Sequence, residues 1–204
     1  MTDPVIEEYS RVAHEYDERW SFYVQATVRE TMARLALRPG QRVLEVGCGT
    51  GALLEPILKA CPDCRLAGID PVLEMLAVAR RRLPPSVELR EGWAEKLPYA
   101  DASFDLVVSC NMFHYLRRPQ EALSEMRRVL CPGGQLVITD WCDDYLACWL
   151  CDRYLRLTSP AYYRAYSERQ CRELVEANGF PNAAIDSYKI SWLWGLMTAS
   201  ATRS

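Results

Sequence analysis

The sequence lacks the features that identify membrane-spanning, secreted and repeat proteins. No apolar run approaches the length of a membrane span, and the longest late one, 190–201, is interrupted by serine, threonine and glycine. The beginning, Met1-Thr2-Asp3-Pro4, has neither the basic region nor the apolar run of a secretory signal. Repeats, low-complexity segments and linkers are also missing. We therefore expect a cytoplasmic protein without a membrane span.

An excess of positive charge is lacking as well. The chain has 24 lysines and arginines against 27 aspartates and glutamates, which gives a net charge of −3. Proteins that bind nucleic acid or an anionic membrane usually show a basic excess, and here the arginines form only local clusters beside predicted helices. We expect no nucleic acid among the partners of this protein.

Histidine is rare, with two residues, whereas cysteine is common, with nine. Cys61-x-x-Cys64 and Cys148-x-x-Cys151 each have the spacing of metal ligands. No histidine follows either pair at the spacing of a zinc finger, and a long stretch of chain separates the pairs. A chain of 204 residues with an ordinary core also does not need disulfide bonds. We expect reduced thiols and no metal site.

Short β-branched runs alternate with helical segments along the chain, which predicts an α/β domain with a parallel sheet and crossover helices. The predicted strands are 42–46, 65–69, 87–90, 104–109, 135–139, 184–189 and 192–202. Helices are predicted over 52–60, from Pro71, from Pro119, and from Ser167 to Asn178, the last with a Ser167/Gln170 capping box. The whole of 1–204 is predicted to be a single domain.

Two segments lie outside this alternation. Residues 1–38 precede the first strand and are predicted to form a helical lid. Residues 140–166 lie between the fifth strand and the last helix, and they contain seven of the 21 aromatic residues of the chain. We expect this second segment to cover a substrate pocket, although an aromatic segment would serve equally well as a dimer interface.

The strongest motif is the glycine-rich run Gly47-Cys48-Gly49-Thr50-Gly51, at the carboxyl end of the first strand. Glycines at this place let the backbone turn sharply and approach a nucleotide-like ligand. The run also satisfies the dinucleotide pattern, in which a pyrophosphate lies on the helix end. A pyrophosphate would meet Glu45, however, with no lysine or arginine between Val43 and Leu58 to compensate. The charges therefore favour a cationic nucleoside.

Asp70 follows the second strand, where a carboxylate can accept hydrogen bonds from both ribose hydroxyls of a nucleoside. This position supports a nucleoside ligand but does not distinguish one cofactor from another. The alternative is that Asp70 only caps the chain before Pro71.

Three stretches resemble class I S-adenosylmethionine (SAM)-dependent methyltransferases. Residues 43–51 resemble the first motif of that family. Glu95-Lys96-Leu97-Pro98-Tyr99 with 103–105, and Arg127 to Gly134, are similar to the branch that contains the ubiquinone/menaquinone-biosynthesis methyltransferases. This resemblance implies a doubly wound, Rossmann-like sheet of seven strands in the order 3-2-1-4-5-7-6, with the last strand antiparallel. It also implies SAM as cofactor and S-adenosylhomocysteine as product. The predicted cofactor-binding residues are Glu45, Gly47, Gly49, Gly51, Asp70, Met75, Trp93, Ala94 and Cys110.

Trp93 stands where the related branch usually has an aspartate that contacts the adenine amino group. An indole cannot accept that hydrogen bond, but it can stack on the adenine ring while backbone groups near Ala94 read its edge. The alternative is an ordinary packed tryptophan.

The methyl acceptor is expected near the ends of the fourth and fifth strands. His114 follows the fourth strand and is the candidate general base, although a histidine bonded to backbone at a helix start would look the same. After the fifth strand, Asp140 either lines the pocket or caps the next helix. The predicted substrate residues are Tyr9, Tyr16, Trp20, His114 and Trp141.

The function predicted from the sequence is methyl transfer to a small, partly apolar or aromatic molecule by a monomer or homodimer. One alternative is a non-catalytic, SAM-binding regulatory or partner subunit, which would have a blocked acceptor pocket. A second alternative is an NAD-dependent oxidoreductase, which Glu45 and the later motifs disfavour. Nucleic-acid methylation is also disfavoured, because Ser109-Cys110-Asn111-Met112 lacks the Pro-Pro-aromatic motif of enzymes that methylate base amino groups.

Overall fold

The computed structural model describes residues 3–204 and contains a seven-stranded sheet in the order β3-β2-β1-β4-β5-β7-β6. The strands are β1 Arg42–Val46, β2 Arg65–Asp70, β3 Glu88–Glu91, β4 Phe104–Cys110, β5 Leu130–Trp141, β6 Ala184–Lys189 and β7 Gly195–Thr202. The helices are α1 Pro4–Val12, α2 Tyr16–Arg19, α3 Ser21–Met32, α4 Leu54–Ala60, α5 Leu73–Arg82, α6 Pro119–Val129, α7 Leu146–Thr158 and α8 Glu168–Ala177, with a 3₁₀ helix over Phe113–Tyr115. The predicted fold class and strand order are confirmed.

Strands β1 to β5 pair in parallel, and β7 pairs antiparallel with both β5 and β6. The central strands are apolar on both faces because helices cover both sides of a parallel sheet. In β1, Val43 faces a core layer with Leu54 and Ile57 of α4, and Leu44 faces the opposite layer with Leu123 of α6.

Several boundaries differ from those predicted, and three of them change the local structure. Pro71 does not open a helix, because Asp70 Oδ1 accepts a hydrogen bond from Val72 N at 2.9 Å and α5 begins only at Leu73. Strand β7 begins at Gly195 and not at residue 192, because Ser191 Oγ accepts from Trp194 N at 2.9 Å and closes a turn. Strand β5 begins at 130, before the predicted turn, and its pairing with β4 shifts register there.

None of the helices within residues 3–204 is long and apolar enough to cross a membrane. The predicted lid, apart from residues 1 and 2, which lie outside the described part, consists of α1, α2 and α3. Helix α1 packs against α5, and Ser10 Oγ donates to Glu74 Oε2 at 2.7 Å. The N-terminal segment therefore lies over the edge of the sheet where β1, β2 and β4 end.

The capping box of α8 is the most local of the predicted features. Ser167 Oγ accepts from Gln170 N at 3.2 Å, and Gln170 Oε1 accepts from Ser167 N at 3.3 Å. Replacing Ser167 by alanine leaves one of these amides without its partner, so we expect the free energy of unfolding to fall by about 1 kcal/mol. Urea denaturation measures this change. Ser86→Ala, at an exposed serine, is the control and should leave the midpoint unchanged, and equal midpoints for both variants would contradict the capping role.

Candidate active site

A cavity of about 380 Å³ opens at the carboxyl ends of β1, β2 and β4. This edge of an open α/β sheet is where such folds bind nucleotide-like ligands. The loops after β1, β2, β3 and β4 form one part of the wall, and the N-terminal helices form the other. The predicted residues that line it are Glu45, Gly47, Gly49, Asp70, Met75, Trp93, Ala94, Cys110, Tyr9 and Tyr16.

The glycine loop bends because Gly47 and Gly49 adopt positive φ angles of 76° and 48°. A Cβ built on Gly49 meets no other atom within 4 Å, so this part of the loop presents bare backbone to the cavity. A Cβ on Gly47 would overlap the side chain of Met112, so the loop after β4 packs closely against it. Side chains other than hydrogen are therefore disfavoured at both positions.

Gly51 has a different role from the one predicted. It does not line the cavity, and a Cβ at this position would lie 2.8 Å from Leu83 Cδ1 and 3.4 Å from Ala79 Cβ. Its φ of 75° and its missing side chain let the start of the α4 segment pack on the end of α5. Gly51 thus shapes the loop from behind.

Asp70 connects the two cofactor loops. Its Oδ2 accepts from Gly49 N at 2.8 Å, and its Oδ1 accepts from Val72 N at 2.9 Å. Burial raises the pKa of Asp70 to about 6, against the opposing effect of these two hydrogen bonds. Each carboxylate oxygen has a further acceptor site, so the capping and ribose-binding interpretations are compatible.

Glu45 is the least compensated charge of the cavity. Its side chain is buried, with the residue only 3% exposed, and Oε2 has no hydrogen-bond partner among the described residues. Burial, and then the nearby Asp70, raise the pKa of Glu45 well above its ordinary value. A buried carboxylate without a partner is costly, and a cation that enters the cavity would lower that cost.

Trp93 is not packed in the core, because 41% of its surface is exposed at the cavity wall. The alternative of an ordinary packed tryptophan is therefore wrong, and its ring is available for stacking. Ala94 and Met75 are buried and line the same cavity. Cys110 lines the cavity at the end of β4, and its thiol sulfur lies 3.5 Å from Thr31 Oγ1. Burial raises the pKa of this thiol.

The lid reaches the cavity through Tyr9 and Tyr16, whose ring centroids are 5.8 Å apart. The hydroxyls of Tyr9 and Tyr115 hydrogen-bond to each other, which joins α1 to the loop after β4. Trp20, by contrast, is 48% exposed and does not line the cavity. The structure thus brings two of the three predicted lid residues to the site.

His114 and Trp141, which the sequence predicted as substrate residues, do not line the cavity. His114 is only 2% exposed, and its Nδ1 donates to Asp140 Oδ1 at 2.6 Å. The ring of Trp141 stacks on it at 4.8 Å, and the neighbouring Tyr115 takes its place at the wall. Nε2 of His114 has no partner among the described residues. The imidazole is therefore held one layer behind the wall.

Asp140 does not cap the following helix. The residue before α7 is Tyr145, and the Asp140 carboxylate accepts from the backbone and ring nitrogens of His114 and from Trp141 N at 2.6 Å. These hydrogen bonds fix the chain after β4 to the chain after β5. Asp140 thus positions His114.

The 140–166 segment does not roof the cavity. Pro160 is its only residue among those at the wall of the described cavity. The apolar side chains of α7 do not face the cavity but are exposed, as Leu146, Trp149, Leu150, Tyr154 and Leu157 show. Periodicity identified an amphipathic helix, but the apolar face lies on the outside.

Several residues of the wall were not predicted. The loop after β4 contributes Asn111, Met112, Leu116, Arg117 and Arg118. Asn111 adopts a positive φ of 58°, and its Oδ1 accepts from the Tyr23 hydroxyl at 2.5 Å. Their position directly after Cys110 is the signal in the sequence that points to them, because that residue was already assigned to the site.

An ion pair that the sequence did not reveal holds the lid on the glycine loop. Asp17 Oδ1 accepts from Thr50 Oγ1 at 2.8 Å, and Asp17 also pairs with Arg82 of α5. Arg82 further donates to Thr50 O at 3.0 Å. The arginine cluster at the end of α5, which looks like a solvated face in the sequence, thus supplies a partly buried contact to the lid.

A family model described as a methyltransferase domain matches residues 44–138. The chain is 43% identical over 103 residues to a demethylmenaquinone methyltransferase of Renibacterium salmoninarum, covering 50% of this chain and 42% of that protein. It is 30% identical over 179 residues to one of Symbiobacterium thermophilum, covering 79% and 66%. A SAM-dependent methyltransferase structure from Thermotoga maritima superposes with a TM-score of 0.79 at 23% identity, covering 98% and 100%.

The matched part of the chain, residues 44–138, therefore belongs to the class I SAM-dependent methyltransferases and is similar to their ubiquinone/menaquinone-biosynthesis branch. SAM is the cofactor of this family, and the predictions of family and cofactor are confirmed. The chain spans less than two thirds of the length of the demethylmenaquinone methyltransferases described above.

Cofactor affinity should fall as the pH is lowered through about 6, because Asp70 with its raised pKa then takes up a proton and becomes a poorer acceptor for ribose hydroxyls. We expect S-adenosylhomocysteine to bind about tenfold more weakly at pH 5 than at pH 7.5, as titration calorimetry would measure. Glu45 titrates in the same direction.

Asp70→Asn should bind more weakly at pH 7.5 and show a shallower pH dependence. Glu176→Gln removes an exposed carboxylate on α8 and should reproduce the wild-type profile. An unchanged profile in Asp70→Asn would exclude Asp70 from the ribose site.

Proposed function

We propose that this chain transfers the methyl group of SAM to a small, partly apolar or aromatic acceptor, and that a demethylmenaquinone-type ring is an acceptor of this kind. The observation that carries the proposal is a cavity in which cofactor-binding loops and a wall of tyrosines meet. When bound, SAM supplies an activated methyl group, and the protein has to align the acceptor and exclude water.

The residues present fit the cofactor. Glu45 offers a buried carboxylate without a partner, which suits the cationic part of SAM. Gly49 offers bare backbone, Asp70 offers acceptor oxygens for the ribose, and Trp93 offers an exposed ring for adenine. A pyrophosphate would lie beside two buried carboxylates, and this disfavours the NAD-dependent alternative.

The acceptor would lie beyond these loops, where Tyr9, Tyr16 and Tyr115 line the cavity. Burial raises the pKa of all three phenols well above the ordinary value, so they stay protonated at neutral pH. Neutral phenols donate hydrogen bonds and exclude water, so their role is to position an oxygen-bearing ring and not to act as bases.

Val24, Val28 and Leu116 add apolar surface to the same wall. This mixture favours an acceptor that is apolar over most of its surface and carries one or two polar atoms. The named relatives act on demethylmenaquinone, whose ring has this chemistry. A non-catalytic SAM-binding subunit would not need a wall suited to an acceptor, so we rank that function second.

The direct test uses SAM labelled in its methyl group and a short-chain demethylmenaquinone that has been chemically reduced. We expect label in the extracted quinone product, in step with release of S-adenosylhomocysteine, because the tyrosine wall holds such a ring beside the methyl donor. A panel of aromatic phenols without the quinone ring tests the wider acceptor class. Tight S-adenosylhomocysteine binding without label in any acceptor would favour the non-catalytic alternative.

His114 remains our candidate for the general base. Asp140 accepts from its Nδ1, which leaves Nε2 free to take a proton. Because Tyr115 lies at the wall and His114 behind it, proton transfer to Nε2 requires the Tyr115 ring to move. The centroids of the two rings are 4.0 Å apart.

Two substitutions separate a base from a merely structural histidine. His114→Asn keeps a side-chain N–H near the Nδ1 position for Asp140 but removes Nε2, and we expect kcat to fall about 100-fold with an unchanged affinity for S-adenosylhomocysteine. Trp141→Phe keeps the imidazole and an aromatic neighbour, and it should lower kcat much less. A His114→Asn protein with wild-type kcat would show that the histidine only packs.

A further inference from the structure

The most exposed apolar surface of this protein lies away from the cavity wall, on α7 and on the turn between β6 and β7. The exposed face of α7 repeats at three- and four-residue intervals, and the turn adds two side chains beside it. Leu157 is 88% and Trp192 is 86% exposed. We call this surface the apolar patch, and its members are Leu146, Trp149, Leu150, Leu157, Trp192 and Leu193.

The patch is continuous across the two elements. Leu146 and Leu150 of α7 line a shallow groove of about 370 Å³ together with Trp192 and Leu193 of the turn. Trp149 lies on the same helix face between these two leucines, and Leu157 extends that face by about two turns toward the end of α7. A contiguous exposed apolar surface on a protein marks an interaction site.

Two basic side chains lie within the patch. Arg153 lies 5.4 Å from the ring centroid of Trp149, and Lys189 lies 5.8 Å from that of Tyr145, beside the groove. Between 145 and 158, and between 187 and 195, Asp152 is the only acidic residue in the sequence. Asp152 is fully buried, binds Arg156 and the hydroxyl of Tyr162, and lies 4.0 Å from the guanidinium of Arg153, whose side chain stays 52% exposed. Asp144, two residues before the patch begins, is exposed, but its Oδ2 accepts from Glu168 N at 2.8 Å. Within the patch itself, arginine and lysine are the charged side chains that reach solvent.

We propose that the apolar patch docks this protein onto the surface of an anionic lipid membrane. Leucines and tryptophans on one face of a helix, with basic residues beside them, are the composition that inserts into the headgroup region of a bilayer. Basic side chains next to such a face are attracted by the negative potential of anionic lipids. The helix lies on the membrane, since no helix within residues 3–204 spans it.

A second copy of this chain fits the patch less well. A symmetric dimer places the same surface of both subunits in contact, so that Arg153 and Lys189 of one copy would face the basic residues of the other. No exposed carboxylate within the patch is available to pair with them. Anionic lipid headgroups supply the missing negative charge.

The topology places the patch at the same end of the sheet as the cavity. Helix α7 follows the carboxyl end of β5, and the β6–β7 turn precedes Gly195, which lies near that end because β7 runs antiparallel to β5. A docked protein would therefore hold the cavity end of its sheet toward the lipid. This inference comes from the surface alone and does not depend on the identity of the acceptor.

Sedimentation with vesicles tests the proposal in the absence of SAM and of any acceptor. The probes are vesicles of phosphatidylcholine alone and of phosphatidylcholine with about one third phosphatidylglycerol. We expect the wild-type chain to bind the anionic vesicles at least about tenfold more strongly, and salt to weaken this binding. Equal binding to both vesicles, or none to either, would overturn the proposal.

Two variants separate the apolar and basic contributions. The double variant Trp149→Ser, Trp192→Ser and the single variant Arg153→Glu should each reduce binding to anionic vesicles severalfold, while S-adenosylhomocysteine affinity stays unchanged. Arg65→Glu reverses an exposed charge at the amino end of β2, at the opposite end of the sheet, and should bind as wild type. If Arg65→Glu weakens binding as much as Arg153→Glu, attraction by overall charge and not docking by the patch is responsible.

Sedimentation velocity identifies the rival occupant. We expect the same sedimentation coefficient for wild type and for the Trp149→Ser, Trp192→Ser variant. A wild-type dimer that dissociates in this variant, without vesicle binding, would assign the patch to self-association and overturn the proposal.

Discussion

The geometry of the site depends on one interaction, in which the Asp70 carboxylate accepts hydrogen bonds from two backbone amides. Gly49 N belongs to the loop after β1 and Val72 N to the loop after β2, so one carboxylate fixes both loops against each other. The positive φ of Gly49 and the delayed start of α5 both follow from this arrangement. Gly47 N and Cys48 N donate to Ile69 O at 2.8 and 3.0 Å, and the Asp70 carboxylate extends this attachment to the bare backbone at Gly49.

This arrangement has an electrostatic cost. Burial raises the pKa of Asp70 from its ordinary value of 3.8 to about 6, and raises that of Glu45 as well. Between the ordinary and the raised pKa of Asp70, the folded ligand-free chain binds more protons than the unfolded chain. Lowering the pH through this range therefore stabilises the fold. The same protonation removes negative charge from the site and therefore weakens the binding of a cationic ligand. Ligand binding and fold stability therefore depend on pH in opposite directions, as expected where a cation completes the site.

The sequence predicted the parts of this site that depend on local chemistry. The glycine loop, Asp70 and the capping box of Ser167 follow from residue types at fixed spacing, and the strand order follows from the resemblance to the methyltransferase family. The depth of His114 does not, because it depends on how the chain turns after β4 and on Asp140, which arrives from another strand. The direction of α7 was also beyond reach, since periodicity reveals an apolar face but not what covers it.

The net charge of the chain also could not predict the apolar patch. A net charge of −3 argues against a protein that binds anionic partners over its whole surface. It is an average, however, over a surface on which acidic residues are distributed unevenly. Within α7 the single acidic side chain, Asp152, accepts hydrogen bonds in the interior from Arg156, Tyr162 and the amide of Ala165. The same buried hydrogen bonds that anchor the inner face of α7 thus leave its outer face apolar and basic. The orientation of this helix is what converts an ordinary amphipathic sequence into a surface that needs a partner.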